Sequence, residues 1–145
     1  MRKLFSILLI VGAVVAIVAI GTGTASRRST VHQVTVPDSD RFTPFALTIH
    51  SGDVVRWVNN DTDDHTVVSD DAFNTTGPRG FDQLLPAGSS RRLRFDNPGT
   101  FVFYCRFHSH LDEVQQPVAP GPDGGIQDSN GNFGTPMSGV ITVLP

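Results

Sequence analysis

The sequence predicts an all-β domain: a Greek-key β-sandwich of seven or eight strands, with one long loop before the last strand. Three observations predict it. Short apolar runs recur through residues 31–144, turn residues separate them, and no apolar pattern of helical period exceeds two turns. A chain whose apolar residues recur in short strand-like runs must bury them sheet against sheet.

The elements follow in order. Residues 31–36 alternate and stop at Pro37-Asp38, where proline removes a ladder donor. Residues 45–49 form the next run, closed by Ser51-Gly52-Asp53. Residues 54–58 follow and end in Asn59-Asn60-Asp61, side chains that hydrogen-bond their own backbone in turns. Residues 65–69 are a fourth short strand, and residues 70–80, with Asn74, Gly77, Pro78 and Gly80, read as a loop or weak strand. Residues 89–95 set Arg91, Leu93 and Phe95 against Ser90, Arg92 and Arg94, so arginines fall on both faces. Asn97-Pro98-Gly99 turns the chain into the aromatic strand 100–104, and residues 139–144 are the last strand. Residues 109–136 break the pattern. They are rich in Pro, Gly, Asp, Gln and Asn, and a loop of that length is usually functional or disordered. Leu111 to Gln116 suits a short helical turn within it.

Residues 1–25 read as a signal peptide. Arg2 and Lys3 give a positive start, residues 4–20 are apolar apart from Ser6 and Gly12, and Gly21 to Ala25 are small residues suited to cleavage. Retention of residues 4–20 as an N-terminal membrane anchor is the alternative. Either way residues 26–145 are one exported domain, periplasmic or extracellular, with 109–136 as an inserted loop. Its positive charges are nine arginines against 14 acids, net −5, with no basic block. That balance argues against nucleic-acid binding.

Cys105 is the only cysteine. It has no intramolecular partner, although exported proteins normally pair their thiols. A metal accounts for it better. His108 follows at C-x-x-H spacing, His65 comes after the Asn59–Asp64 turn, and Met137 opens the last strand. One thiolate, two imidazoles and a weak axial thioether are the donor set of a copper electron-transfer site. Taken singly, each residue has an ordinary reading: surface histidine, small buried cysteine, core methionine. Their joint order makes the case. His32 and His50 read as surface positions, and His110 as exposed or adjacent to the site.

Several stretches resemble the cupredoxins, the small blue copper proteins, in their plastocyanin/azurin-like group. The resemblance spans about residues 31–145. It rests on Phe42-Thr43-Pro44, Leu47 to Asp61, His65-Thr66-Val67, Leu84 to Gly88, Phe95, Pro98 to Phe101, Tyr104 to His108 and Met137 to Val143. It implies His65, Cys105 and His108 as equatorial ligands of one copper ion, Met137 as the axial one, and the Thr66 backbone amide beside the sulfur. The departure is length: 28 residues separate His108 from Met137, where the family usually has a few. Two readings follow. Either 109–136 is a surface excursion and Met137 still returns to the axial position, or His110, Asp112 or Glu113 takes its place, giving a red or green centre at lower potential.

The expected function is one-electron transport by a type 1 copper, not enzymatic turnover. Phe101, Phe103, Phe107 and Phe42 are expected to exclude water. The outer edge of His108 is expected to be the electron's exit, with a redox partner docking there against a surface shaped by the long loop. The domain is expected to be a monomer. Copper binding and delivery without redox cycling is the alternative from another class.

Overall fold

The computed structural model describes residues 27–145; the proposed signal or anchor segment lies outside them. Among the described residues twelve strands occur in order: β1 Val31–Val36, β2 Ala46–His50, β3 Asp53–Asn59, β4 His65–Ser69, β5 Asp82–Leu85, β6 Ser90–Phe95, β7 Gly99–Tyr104, β8 His110–Leu111, β9 Pro117–Ala119, β10 Ile126–Gln127, β11 Phe133–Thr135 and β12 Ser138–Leu144. Eight of them build a β-sandwich. One sheet has the order β1-β3-β6, the other β2-β12-β7-β4-β5. β1 runs parallel to β3 and β2 parallel to β12, while the other pairs in these two sheets are antiparallel. No helix occurs among the described residues.

The pattern of β3 shows why these residues form these sheets. Its seven residues alternate strictly between buried and half-buried. Val55 and Trp57 point inward and are fully buried. They meet Ile49, Phe101, Phe103 and Ile141 in one core with Val34, Val36 and Phe95. Aromatic edges lock the two sheets: Trp57 sits 5.3 Å from Phe103 and Phe95 sits 5.2 Å from Phe101, both edge-on.

The two ends of β3 are also buried but polar, and each ties down a turn. Asp53 accepts hydrogen bonds from Arg27, from the backbone amides of Thr30 and His50, and pairs with His32. Asn59 donates to the carbonyls of Asp63 and Leu85 and accepts from the Asp61 amide. That second knot fixes the loop from which β4 starts.

Two expectations need correction. A strand, β5, stands at residues 82–85 where none was expected. It is an edge strand with only Leu85 buried, so it carries almost no apolar period. The excursion 109–136 is also not a plain loop, and Leu111 to Gln116 forms no helical turn. β8 and β9 pair across a tight hairpin, and β10 pairs with β11. The Asp112 carboxylate accepts the amides of Val114 and Gln116, and Gln115 adopts a left-handed φ of 67°. An aspartate that captures its own downstream amides makes a turn at the expense of a helix.

Candidate metal centre

Three strand ends open onto one space. β4 and β7 pair only at Val68–Tyr104 and Ser69–Phe103. Beyond that point the Thr66 hydroxyl, not its backbone, accepts the Arg106 amide. The strands part there, and Cys105 falls in the gap just past the end of β7. His65 opens β4 at the far side, held by the Asn59 knot. Met137, immediately before β12, closes the third side: Cys105 donates its amide to the Met137 carbonyl at 2.8 Å, and Met137 donates its amide to the His108 carbonyl at 3.0 Å. The segment from 105 to 108 is thus clipped at both ends to one residue.

The side chains converge. His65 Nδ1 and His108 Nδ1 lie 3.1 Å apart, and Cys105 Sγ lies 3.8 Å and 3.4 Å from them. A first-row cation ~2.0 Å from each nitrogen and ~2.3 Å from the sulfur leaves such donors roughly 3.3–3.7 Å apart. The observed triangle has that size. His65 and Cys105 are fully buried and His108 is 4% exposed. Met137 is fully buried and belongs to the hydrophobic core beside the cluster.

The electrostatics suit a thiolate. Burial alone would push the Cys105 thiol up, but hydrogen bonds from His108, His65 and the Thr66 N–H outweigh it and bring it down to about 5. The Thr66 amide stands 3.3 Å from the sulfur, where the resemblance puts it. Burial opposes charge on both imidazoles too, yet the neighbouring thiolate raises the proton affinity of each. A copper ion held by these three residues would take the place of those protons.

Each imidazole has a carboxylate on its outer nitrogen. His65 Nε2 is 3.2 Å from Asp61, four residues earlier, and His108 Nε2 is 3.3 Å from Asp40. Partial burial raises the Asp40 carboxyl above its usual range, against the pull of His108 and His65. The sequence reading missed both acids. Asp61 had a local signal, its spacing from His65. Asp40 had none, because its approach to His108 is set only by the fold.

The other candidate donors stay apart from this cluster. His110 and Glu113 are exposed, and the Asp112 carboxylate is engaged in its own turn. His32 pairs with Asp53 and His50 is half-buried, and neither joins the cluster. Phe42 and Phe103, in edge contact at 4.8 Å, and the half-buried Phe107 beside His108 supply apolar cover. One expectation changes: the edge of His108 faces the Asp40 carboxylate instead of lying open to solvent.

Comparison with known proteins agrees with this fold. The model of the family described as "Cupredoxin-like domain" matches residues 9–114. A plastocyanin of Scenedesmus fuscus is 33% identical over 72 residues, which cover 46% of this chain and 74% of that protein. The chain spans only about half the length of two further plastocyanins that it matches. Among solved structures, a purple cupredoxin from Nitrosopumilus maritimus superposes with a TM-score of 0.50 at 21% identity, covering 77% of this chain and 97% of the other. An amicyanin from Paracoccus versutus gives 0.51 at 17% identity, with 83% and 85% covered. At those identities the structures speak for the fold. The cofactor expected from the sequence, one copper ion, agrees with the family and with a donor set of soft thiolate and imidazole. The chain belongs to the cupredoxin-like family.

Proposed function

We propose that this domain is an exported carrier of single electrons, built around one type 1 copper. His65, Cys105 and His108 are the equatorial ligands and Met137 the axial one. The observation that carries the reading is the buried triangle of two Nδ1 atoms and one sulfur, with the Thr66 amide donating to that sulfur. When bound, copper supplies a one-electron couple. The chain's own part is to hold two imidazoles and a thiolate in place and to keep water out. The β-sandwich does this with ligands on strand ends backed by the aromatic core, so little moves when the charge changes.

Several features favour a carrier over a delivery protein or an enzyme. All three donors are buried and cross-linked through Asn59, Thr66 and Met137, which suits retention of the ion, not its transfer. The plastocyanin names of its sequence relatives point the same way. The sequence of residues 1–25 supports export. Electrons pass at the face around His108, and a partner approaching there meets Asp40 before the imidazole.

The test is an optical spectrum of the purified protein loaded with Cu(II). The wild type should show an intense visible band from the thiolate–copper bond, and Cys105→Ser should lose it. An unchanged colour in that variant removes the assignment.

A further inference from the structure

We propose that Asp40 is a positioning residue for the metal centre: its carboxylate, beside Nε2, favours the His108 tautomer that presents Nδ1, and its charge favours the oxidised ion. This rests on the copper reading above and adds a residue that neither the sequence motifs nor the family resemblance assigns.

Three observations carry it. The first is contact: Asp40 Oδ1 lies 3.3 Å from His108 Nε2, on the side of the ring opposite the sulfur-facing Nδ1. The pair is a charge contact without the alignment of a hydrogen bond; a negative group beside Nε2 favours the proton on that nitrogen and leaves Nδ1 as the lone-pair donor, the tautomer a metal needs. The second is backbone: Asp40 sits at φ 35°, a left-handed conformation that residues other than glycine rarely adopt. Unfavourable backbone of this kind persists where surrounding structure over-determines it, and it clusters at functional sites. The third is enclosure. His108 is 4% exposed and the Asp40 side chain 21% exposed, so the ring's outer nitrogen is shielded from bulk water and has this carboxylate as its neighbour.

A carboxylate also stands behind the other imidazole, where Asp61 hydrogen-bonds His65 Nε2 at 3.2 Å. The two acids reach their rings by different routes. Asp61 is local to His65, whereas Asp40 comes from the turn after β1, 68 residues before His108. Two carboxylates behind two ligand rings place negative charge close to the ion. That charge stabilises Cu(II) over Cu(I) and holds the reduction potential down. It opposes the apolar cover of Phe42, Phe103 and Phe107, which acts the other way.

The experiment compares Asp40→Asn, Asp40→Gly and Asp38→Asn with the wild type in copper-loaded form. Asparagine keeps a polar oxygen beside Nε2 and tolerates the left-handed backbone, but removes the charge. Glycine removes both groups and is at ease at positive φ, so folding is preserved. Asp38 is an exposed acid in the same turn and controls for general charge. Cu(II) affinity by chelator competition and the reduction potential by voltammetry are the readouts. Asp40→Asn should lower the ratio of Cu(II) to Cu(I) affinity about tenfold, which is ~59 mV upward for a one-electron couple. Asp40→Gly should also weaken Cu(II) binding by about 10–100-fold. Asp38→Asn should match the wild type. Wild-type potential and affinity in both Asp40 variants, or an equal shift in Asp38→Asn, overturns the role of Asp40. A wild type without the thiolate–copper band overturns the copper reading itself, and this role with it.

Discussion

At the scale of single residues, the centre depends on a few side chains whose partners are all named. Met137 is the most informative to change. It is fully buried, and its backbone clips both ends of the 105–108 segment, a task that any side chain leaves intact. Met137→Leu conserves volume and should alter stability by less than about 1.5 kcal/mol. Removing the thioether while keeping the pocket apolar should raise the reduction potential with copper still bound. A potential equal to that of the wild type would rule out an axial role for Met137. The three convergent donors were legible in the sequence because chemistry singles them out: a lone thiol, its C-x-x-H partner and an upstream histidine after a strong turn. Asp40 was not legible. An aspartate in a Pro-Asp-Ser-Asp turn has an adequate local explanation, and only the folded backbone brings it to His108.

At the scale of elements, the excursion between β7 and β12 has the largest structural consequence. Each doubling of a connection's length costs only ~0.6 kcal/mol of closure entropy, so across a 28-residue excursion the two strands still pair in register. The excursion also braces the ligand segment. A Cβ at Gly121 would lie 2.4 Å from the Phe107 carbonyl oxygen and 2.6 Å from the Ser109 nitrogen. Both are backbone atoms and cannot swing aside. Gly121→Ala should therefore destabilise the protein by about 1–3 kcal/mol and shift the visible band of the copper form, although the residue is far from the donors in sequence. Thermal unfolding and the optical spectrum check it; no change in either means that the excursion does not support His108. The sandwich strands were legible from period and turn residues. β5 was not, since a mostly exposed edge strand has no apolar face to announce it. Nor were β8 to β11, which at two or three residues each are too short to show a period.

At the scale of the whole molecule, one buried carboxylate joins the N-terminal strand to the rest. Asp53 is fully buried and gathers Arg27, the Thr30 and His50 amides, and His32. The hydrogen bond from Arg27 is foremost among these in holding its carboxyl far below the ordinary 3.8. A depressed carboxyl stabilises the fold above its ordinary value, and that stability drains away as pH falls through and below ~3.8. Asp53→Asn should cost about 2 kcal/mol at neutral pH. The gap in Tm between variant and wild type should narrow steadily from pH 4 toward pH 2. A gap independent of pH over that range would show that Asp53 contributes shape and not charge.

The placement of β12 ties the metal centre to the larger sheet. That strand lies inside the sheet, between β2 and β7, and among the described residues it is the one ladder partner of β2. Peeling it away would leave β2 without a neighbour and undo the Met137 clasp on the segment carrying Cys105 and His108 in the same event. Loss of the seat for the ion and breakage of the sheet are thus one opening, and the two should be cooperative.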